Sequence, residues 1–284
     1  MIVRFKRSDG SVGWGWKSPQ GIQDVCAADD SLPVSTCQLI RNWDSLQPRI
    51  VSLVKKLGPT DDTLELLCPL DCTGKILCIG LNYRDHALET NAPIPDEPIV
   101  FSKASSSMIG PNVPIEVPQI SSQVDFEAEL VVVVGKRLKK ADPLEARQAI
   151  FGYTAGNDVS ARDWQKGKPG KQWLLGKSFD TFAPIGPAIV PAAAIPDPMN
   201  LRIQSRLNGQ TMQDSSTHEL IFTPEMLLSY ISQVLTIEPG DVLFTGTPAG
   251  VGVARTPQVF LKPGDRFEVE IEGIGVLSNP CIEA

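Results

Sequence analysis

Long apolar runs are missing from this chain: no window approaches the roughly 18 uninterrupted apolar residues that a membrane-crossing helix requires, so a helical membrane protein is excluded. Positive charge is also short. Lys and Arg number 26 against 33 Asp and Glu, a net charge of −7, whereas a nucleic-acid or anionic-membrane surface needs a clustered excess of cations. The one basic cluster, "GKRLKK" at 135–140, reads as a solvated turn after an apolar run. The start, "MIVRFKRSDGSVGWGW", has no apolar core of signal-peptide length, and no clear mitochondrial presequence is readable in it. These absences lead to the expectation of a cytoplasmic protein without nucleic-acid or membrane partners. The six cysteines are then expected as free thiols, since Cys68, Cys72 and Cys78 lack a fourth ligand for zinc. Internal repeats and low-complexity tracts are absent too.

What is present is a chain of 284 residues, 42% hydrophobic, long enough to bury the core of one large domain with a smaller attachment. "MIVRFKR" and "VGWGWKS" alternate like two hairpin strands, and "DSLQPRIVSLVKKLG" has the spacing of an amphipathic helix ending at Gly58. "PTDDTLELLCPLDCTGK" reads as a link into a larger unit. This divides the chain into a small N-terminal domain, 1–70, and a main domain, 71–284. Beyond the link, strands punctuated by Gly and Pro dominate. Two helices are signalled by capping residues followed by proline: Asp142-Pro143 and Thr223-Pro224. The pattern predicts an α+β fold built on a rolled, mixed β-sheet.

Candidate chemistry begins at "VDFEAELVVVVG", residues 124–135. In a strand, side chains two apart share a face, so Glu127 and Glu129 stand side by side and repel. A cation lies between them, or one is protonated, or the face is wet; the bland reading is an exposed half-strand, which the buried-looking valines weaken. "GNDVSARDWQ" places Asp158 just after a strand end, where it supplies a third carboxylate. Such an oxygen-only set suits Mg²⁺ or Mn²⁺, and Ca²⁺ less well because Ca²⁺ takes more ligands.

Of two histidines, His86 in "GLNYRDHALET" lies one helical turn from Glu89, and a carboxylate beside imidazole makes a general base. The plainer alternative is a solvated surface pair. The following "TNAPIPDEP" has the composition of a lid. His218 reads as structural. Lys177 in "GKSFDTFAPIGP" is either a surface cation or a group that binds a substrate carboxylate or stabilises an enolate. "TGTPAGVG", 245–252, lacks the lysine of a phosphate-binding P-loop; it suits close backbone approach to a small anion, with Thr247 as an added donor.

Taken in order, "KILCIGLNYRDHALE", "PIVFSKASSSMIGP", "VDFEAELVVVVGK", "GYTAGNDVSARDWQ", "QWLLGKSFDTFAPIGP", "LNGQTMQDSSTHELIF", "LTIEPGDVLFTGTPAGVG" and "FLKPGDRFEVEIEGIG" resemble the fumarylacetoacetate hydrolase family over residues 71–284. The resemblance is to its domain-containing proteins that act on oxaloacetate or acylpyruvates. It implies Mg²⁺ or Mn²⁺ on Glu127, Glu129 and Asp158, and a lid dyad of His86 and Glu89. It further implies an active-site Lys177, substrate contacts at Arg162, Gln165 and Thr247, a β-rich roll with a small N-terminal domain, and a homodimer. The activity it implies is C–C hydrolysis or decarboxylation of a small 2-oxo or 1,3-dicarbonyl acid through an enolate, with oxaloacetate tautomerisation as the alternative. A catalytically idle binding protein is the alternative of another class.

Overall fold

The valine run forms the strand Ala128–Val134, and all seven of its residues are buried. Alternation sends its side chains to two opposite faces, and Glu129 is the one polar residue among them. Ala128, Leu130, Val132 and Val134 join the larger core, with Phe126, Phe267, Val269 and Leu277. Val131 and Val133 point the other way, into a second core with Ile2, Trp14, Leu39 and Ile50. Elements from the first 58 residues therefore cover a sheet face that would otherwise expose aliphatic side chains, each worth about 1.5–3 kcal/mol when buried.

The computed structural model describes residues 1–59, 64–72 and 74–284; part of the linking stretch after Gly58 lies outside the described residues. Its architecture is mixed α+β and dominated by sheets. An eleven-stranded sheet carries, across its main path, Gly21–Gln23, Val12–Ser18, Ile2–Lys6, Ala183–Pro191, Ile150–Asn157, Ala128–Val134, Val242–Phe244, Ile76–Gly80 and Ile99–Lys103. A five-stranded sheet, including Arg202–Leu207 and Arg266–Ile271, packs over the larger core, where Phe126 and Phe267 rings approach to 4.7 Å. The N-terminal hairpin forms as expected, and its first strand pairs with Ala183–Pro191. Among the described residues no helix is long and apolar enough to cross a membrane.

Local signals are mostly realised. Asp142 and Glu145 form a reciprocal capping box on the helix Pro143–Gln148. Pro224–Ser232 also starts where its proline dictates, but the buried Thr223 hydroxyl makes no cap bond. The earlier amphipathic helix spans Trp43–Val54 and stops a turn before Gly58.

One expectation is overturned: Cys37 and Cys72 are joined in a disulfide, leaving Cys26, Cys68, Cys78 and Cys281 free. The cause is local. The Asp71 carboxylate accepts from Ser35 Oγ, Thr36 Oγ1 and the Cys37 amide, which draws the residue next to Cys72 onto the start of the helix Thr36–Arg41.

Gly156 packs directly against the central strand. A Cβ there would lie 2.5 Å from Val131 Cγ2 and 2.6 Å from Phe244 Cε1. Gly156→Ala is expected to lower stability by roughly 1–3 kcal/mol, the usual cost of overpacking, in equilibrium urea unfolding. An unchanged midpoint would show that this layer yields.

Candidate metal centre

Strand register brings the acids together. Ala128 pairs with Asn157 and Glu129 with Gly156, so Asp158, one step past the strand end, lies beside the start of the acid-bearing strand. The link is closed by the Asp158 amide on the Glu127 carbonyl, 2.9 Å, and by Asn157 Oδ1, which accepts from the Glu127 amide at 3.0 Å. Asp125 and Glu127 are not on one continuous strand with Glu129. Val124–Asp125 is a separate short strand paired with Ser160–Ala161, and neither Phe126 nor Glu127 belongs to a strand. The outcome is that Glu127, Glu129 and Asp158 offer oxygens all within 4.8 Å of one another, and all three residues are buried.

Such a cluster survives only with compensating charge. Lys177, the last residue of the helix Trp173–Lys177, bridges Glu127 Oε2 and Asp158 Oδ2, 2.7 Å from each. Arg162 donates from Nε to Asp125 Oδ2 at 2.8 Å, from Nη2 to Glu127 Oε1 at 2.6 Å and from Nη1 to Gln165 Oε1 at 3.0 Å. Lys103 donates to Asp158 Oδ1 at 2.5 Å and to the Val159 carbonyl at 3.0 Å. Four acids, including Asp125, thus face three cations.

The imbalance falls on Glu129. Burial, then the charges of Asp158 and Glu127, push its carboxyl well above the ordinary range, which favours the protonated form. Burial opposes ionisation of Glu127 as well, but Lys177 and Arg162 override it and hold that carboxyl well below the usual value. Of the resolutions open in the sequence, counter-charge is present on Glu127, from Lys177 and Arg162, while the direction of the Glu129 shift favours a proton there.

The glycine-rich loop approaches anions closely, as expected, but they are the protein's own. Gly246 N donates to Glu129 Oε2 at 2.7 Å, Gly250 N to Glu89 Oε1 at 2.9 Å and Gly252 N to Asp125 Oδ1 at 2.7 Å. Gly246 and Gly250 both have φ of +105°, which only glycine adopts freely. Thr247 Oγ1 donates to the Ala128 carbonyl at 2.9 Å and accepts from Gln213 Nε2 at 2.8 Å. One loop thus touches both the acid cluster and the helix Arg84–Glu89, on which His86 Nδ1 faces Glu89 Oε2 at 3.2 Å. In the neutral tautomer that donates from Nδ1 to that carboxylate, Nε2 carries the free lone pair.

Every candidate residue named from the sequence, Glu127, Glu129, Asp158, His86, Glu89, Lys177, Arg162, Gln165 and Thr247, belongs to this network or adjoins it. His218 does not: it is exposed on the short turn Thr217–Glu219, and its carbonyl accepts from Arg84. Three participants carried no usable sequence signal. Lys103 is a lone lysine at the end of "PIVFSK". Gln213 is 85 residues from Ala128, whose amide its side chain accepts. Asp125, which is not among those candidates, is the buried partner of Arg162 and of the loop.

The donor set fits a hard divalent cation: carboxylate oxygens only, with no His or Cys among them. Two buried polar groups beside it, Asn157 Nδ2 and the Tyr83 hydroxyl, have no hydrogen-bond partner. Burial, and then the charge of Glu129, raise the phenol's pKa well above its usual value. Such orphan groups are kept where a further ligand or water completes the shell.

A family model described as fumarylacetoacetate (FAA) hydrolase C-terminal matches residues 75–282. The chain is 44% identical over 286 residues to a Xenopus laevis protein named oxaloacetate tautomerase fahd2, mitochondrial, covering 99% of this chain and 90% of that protein. It is 43% identical over 265 residues to human oxaloacetate tautomerase FAHD2A, mitochondrial, covering 92% and 84%. Among solved structures, fumarylacetoacetate hydrolase from Exiguobacterium antarcticum superposes with a TM-score of 0.89 at 34% identity, covering 100% and 99%. Maleylpyruvate hydrolase from Sphingobium sp. SYK-6, in complex with manganese (II) ion and pyruvate, superposes at 0.82 and 25% identity, covering 99% of each chain. The relatives' names overturn the cytoplasmic expectation and point to mitochondria. A presequence that is not readable from composition was too weak a ground for excluding that compartment.

Removing Asp125 leaves part of the Arg162 charge and two loop amides buried without a partner. Asp125→Ala is expected to cost about 3–5 kcal/mol in denaturant unfolding, the range for breaking one side of a buried pair. A loss below about 1 kcal/mol would mean the loop relaxes to water.

Proposed function

The chain belongs to the fumarylacetoacetate hydrolase family of enzymes, and from that premise we propose that it interconverts the keto and enol forms of oxaloacetate. The observation that carries this reading is the joining, by one glycine-rich loop, of a buried three-carboxylate cluster to a His–Glu pair. Both relatives described above are named oxaloacetate tautomerase, which supports the substrate. In this reading Glu127, Glu129 and Asp158 hold Mg²⁺ or Mn²⁺. The cation supplies positive charge for a 2-oxo acid's carboxylate and keto oxygens.

The chain's own residues move the proton. His86 Nε2 takes it from the carbon next to the keto group, Glu89 stabilises the imidazolium that results, and the imidazolium gives the proton back to the enolate oxygen, which forms the enol and restores the base. Glu89 is itself fixed by the Gly250 amide, so the ring keeps one orientation. Lys177 donates toward the developing oxygen, from a buried position where a fixed ammonium acts more strongly than in water. Arg162, Gln165 and Thr247 line the substrate side, the segment after Glu89 serves as the lid, residues 1–70 form a supporting domain, and the working unit is a homodimer.

A second reading is C–C hydrolysis of an acylpyruvate. It is favoured by the same His86–Glu89 pair, which suits activation of water, and by the likeness to maleylpyruvate hydrolase. An idle binding protein is disfavoured because the acids, the dyad and Lys177 are all in place.

Oxaloacetate followed by NMR with added Mg²⁺ or Mn²⁺ separates the readings. Faster keto–enol exchange without new products is expected, abolished by EDTA and slowed roughly 10²–10⁴-fold in His86→Ala, the range for loss of a general base. Exchange at the uncatalysed rate, together with cleavage of an acylpyruvate, would replace tautomerisation by hydrolysis.

A further inference from the structure

Lys103 has no part in the chemistry described so far, although its side chain is fully buried against the metal-cluster carboxylate. It is the one buried residue of the strand Ile99–Lys103, whose other positions are exposed or half-exposed at the edge of the large sheet. An apolar residue would fill that position without the several kcal/mol that burying an ammonium costs. The charge is placed for contact with Asp158.

The two lysines on Asp158 are not equivalent. Lys177 bridges Oδ2 of Asp158 and Oε2 of Glu127, so Oδ2 is the oxygen that shares a lysine with Glu127. Lys103 takes Oδ1 alone, at 2.5 Å, and is anchored from behind by the Val159 carbonyl at 3.0 Å. A cation seated among the three acids would meet Lys177 on the Oδ2 side, whereas Oδ1 is paired with Lys103.

We infer that Lys103 is a positioning residue that restricts Asp158 to one-oxygen coordination and thereby sets the site's preference for a small octahedral cation over Ca²⁺. This rests on the reading of Glu127, Glu129 and Asp158 as the metal seat. Mg²⁺-sized ions accept single oxygens in a tight octahedron, whereas Ca²⁺ takes six to eight ligands and gains from carboxylates that chelate through both oxygens. A neighbour that ties up one carboxylate oxygen removes that option. Partners of ligating groups commonly change metal affinity 10–100-fold when removed.

The test is titration of the full chain with Mn²⁺ and with Ca²⁺ separately, by calorimetry, for wild type, Lys103→Met and Lys103→Arg. In Lys103→Met the wild-type preference for Mn²⁺ over Ca²⁺ is expected to fall about tenfold or more, while Lys103→Arg, which keeps a donor on Oδ1, restores it. Lys103→Gln, a neutral donor, serves if the methionine variant does not fold, with a smaller fall in the same direction. A purely structural lysine would shift both affinities by the same factor; an unchanged ratio in the Met or Gln variant overturns the inference and leaves the metal seat standing. A wild-type chain that binds neither ion would remove the metal seat and the inference together.

Discussion

Everything in this molecule is arranged around one electrostatic difficulty, the confinement of four carboxylates in a volume that excludes water. Each buried charge costs several kcal/mol unless it is paired and hydrogen-bonded. Three cations meet four acids, and Glu129 is left as the member that favours a proton. A divalent cation held by the three acids would close that residual imbalance.

The fold enforces the arrangement through backbone constraints that side-chain chemistry alone could not supply. Antiparallel register delivers Asp158 to Glu127, and the valines behind Glu129 are packed from both sides, so neither acid can swing away. The loop 245–252 then spends its amides on Glu129, Glu89 and Asp125. The His86–Glu89 pair and the acid cluster are thereby tied to one short backbone segment. A shift of that segment moves both, which gives the site a single geometry rather than two independently drifting halves.

Much of this was legible in the residues. Alternating acids ahead of an apolar run, an aspartate after a strand end, and His86 three residues before Glu89 each carry a local physical meaning, and the fold class followed from strand periodicity and capped helices. What was not legible depended on contacts distant in sequence. Lys103 meets Asp158 across 55 residues, and Gln213 meets Thr247 across 34. The break between the strands Val124–Asp125 and Ala128–Val134 was hidden because acid alternation looks the same in one strand or two. The disulfide was missed for a different reason: cysteine use was inferred from compartment, while the pairing of Cys37 with Cys72 follows from Asp71 capping a helix.

The claim on which the rest stands is that the buried acids seat a divalent cation. Anomalous diffraction from crystals grown with Mn²⁺ tests it most directly. The account predicts one strong peak within about 2.0–2.3 Å of oxygens from Glu127, Glu129 and Asp158, with the Lys177 ammonium moved off its bridge between two of them. A manganese peak elsewhere, with that bridge intact, would contradict it.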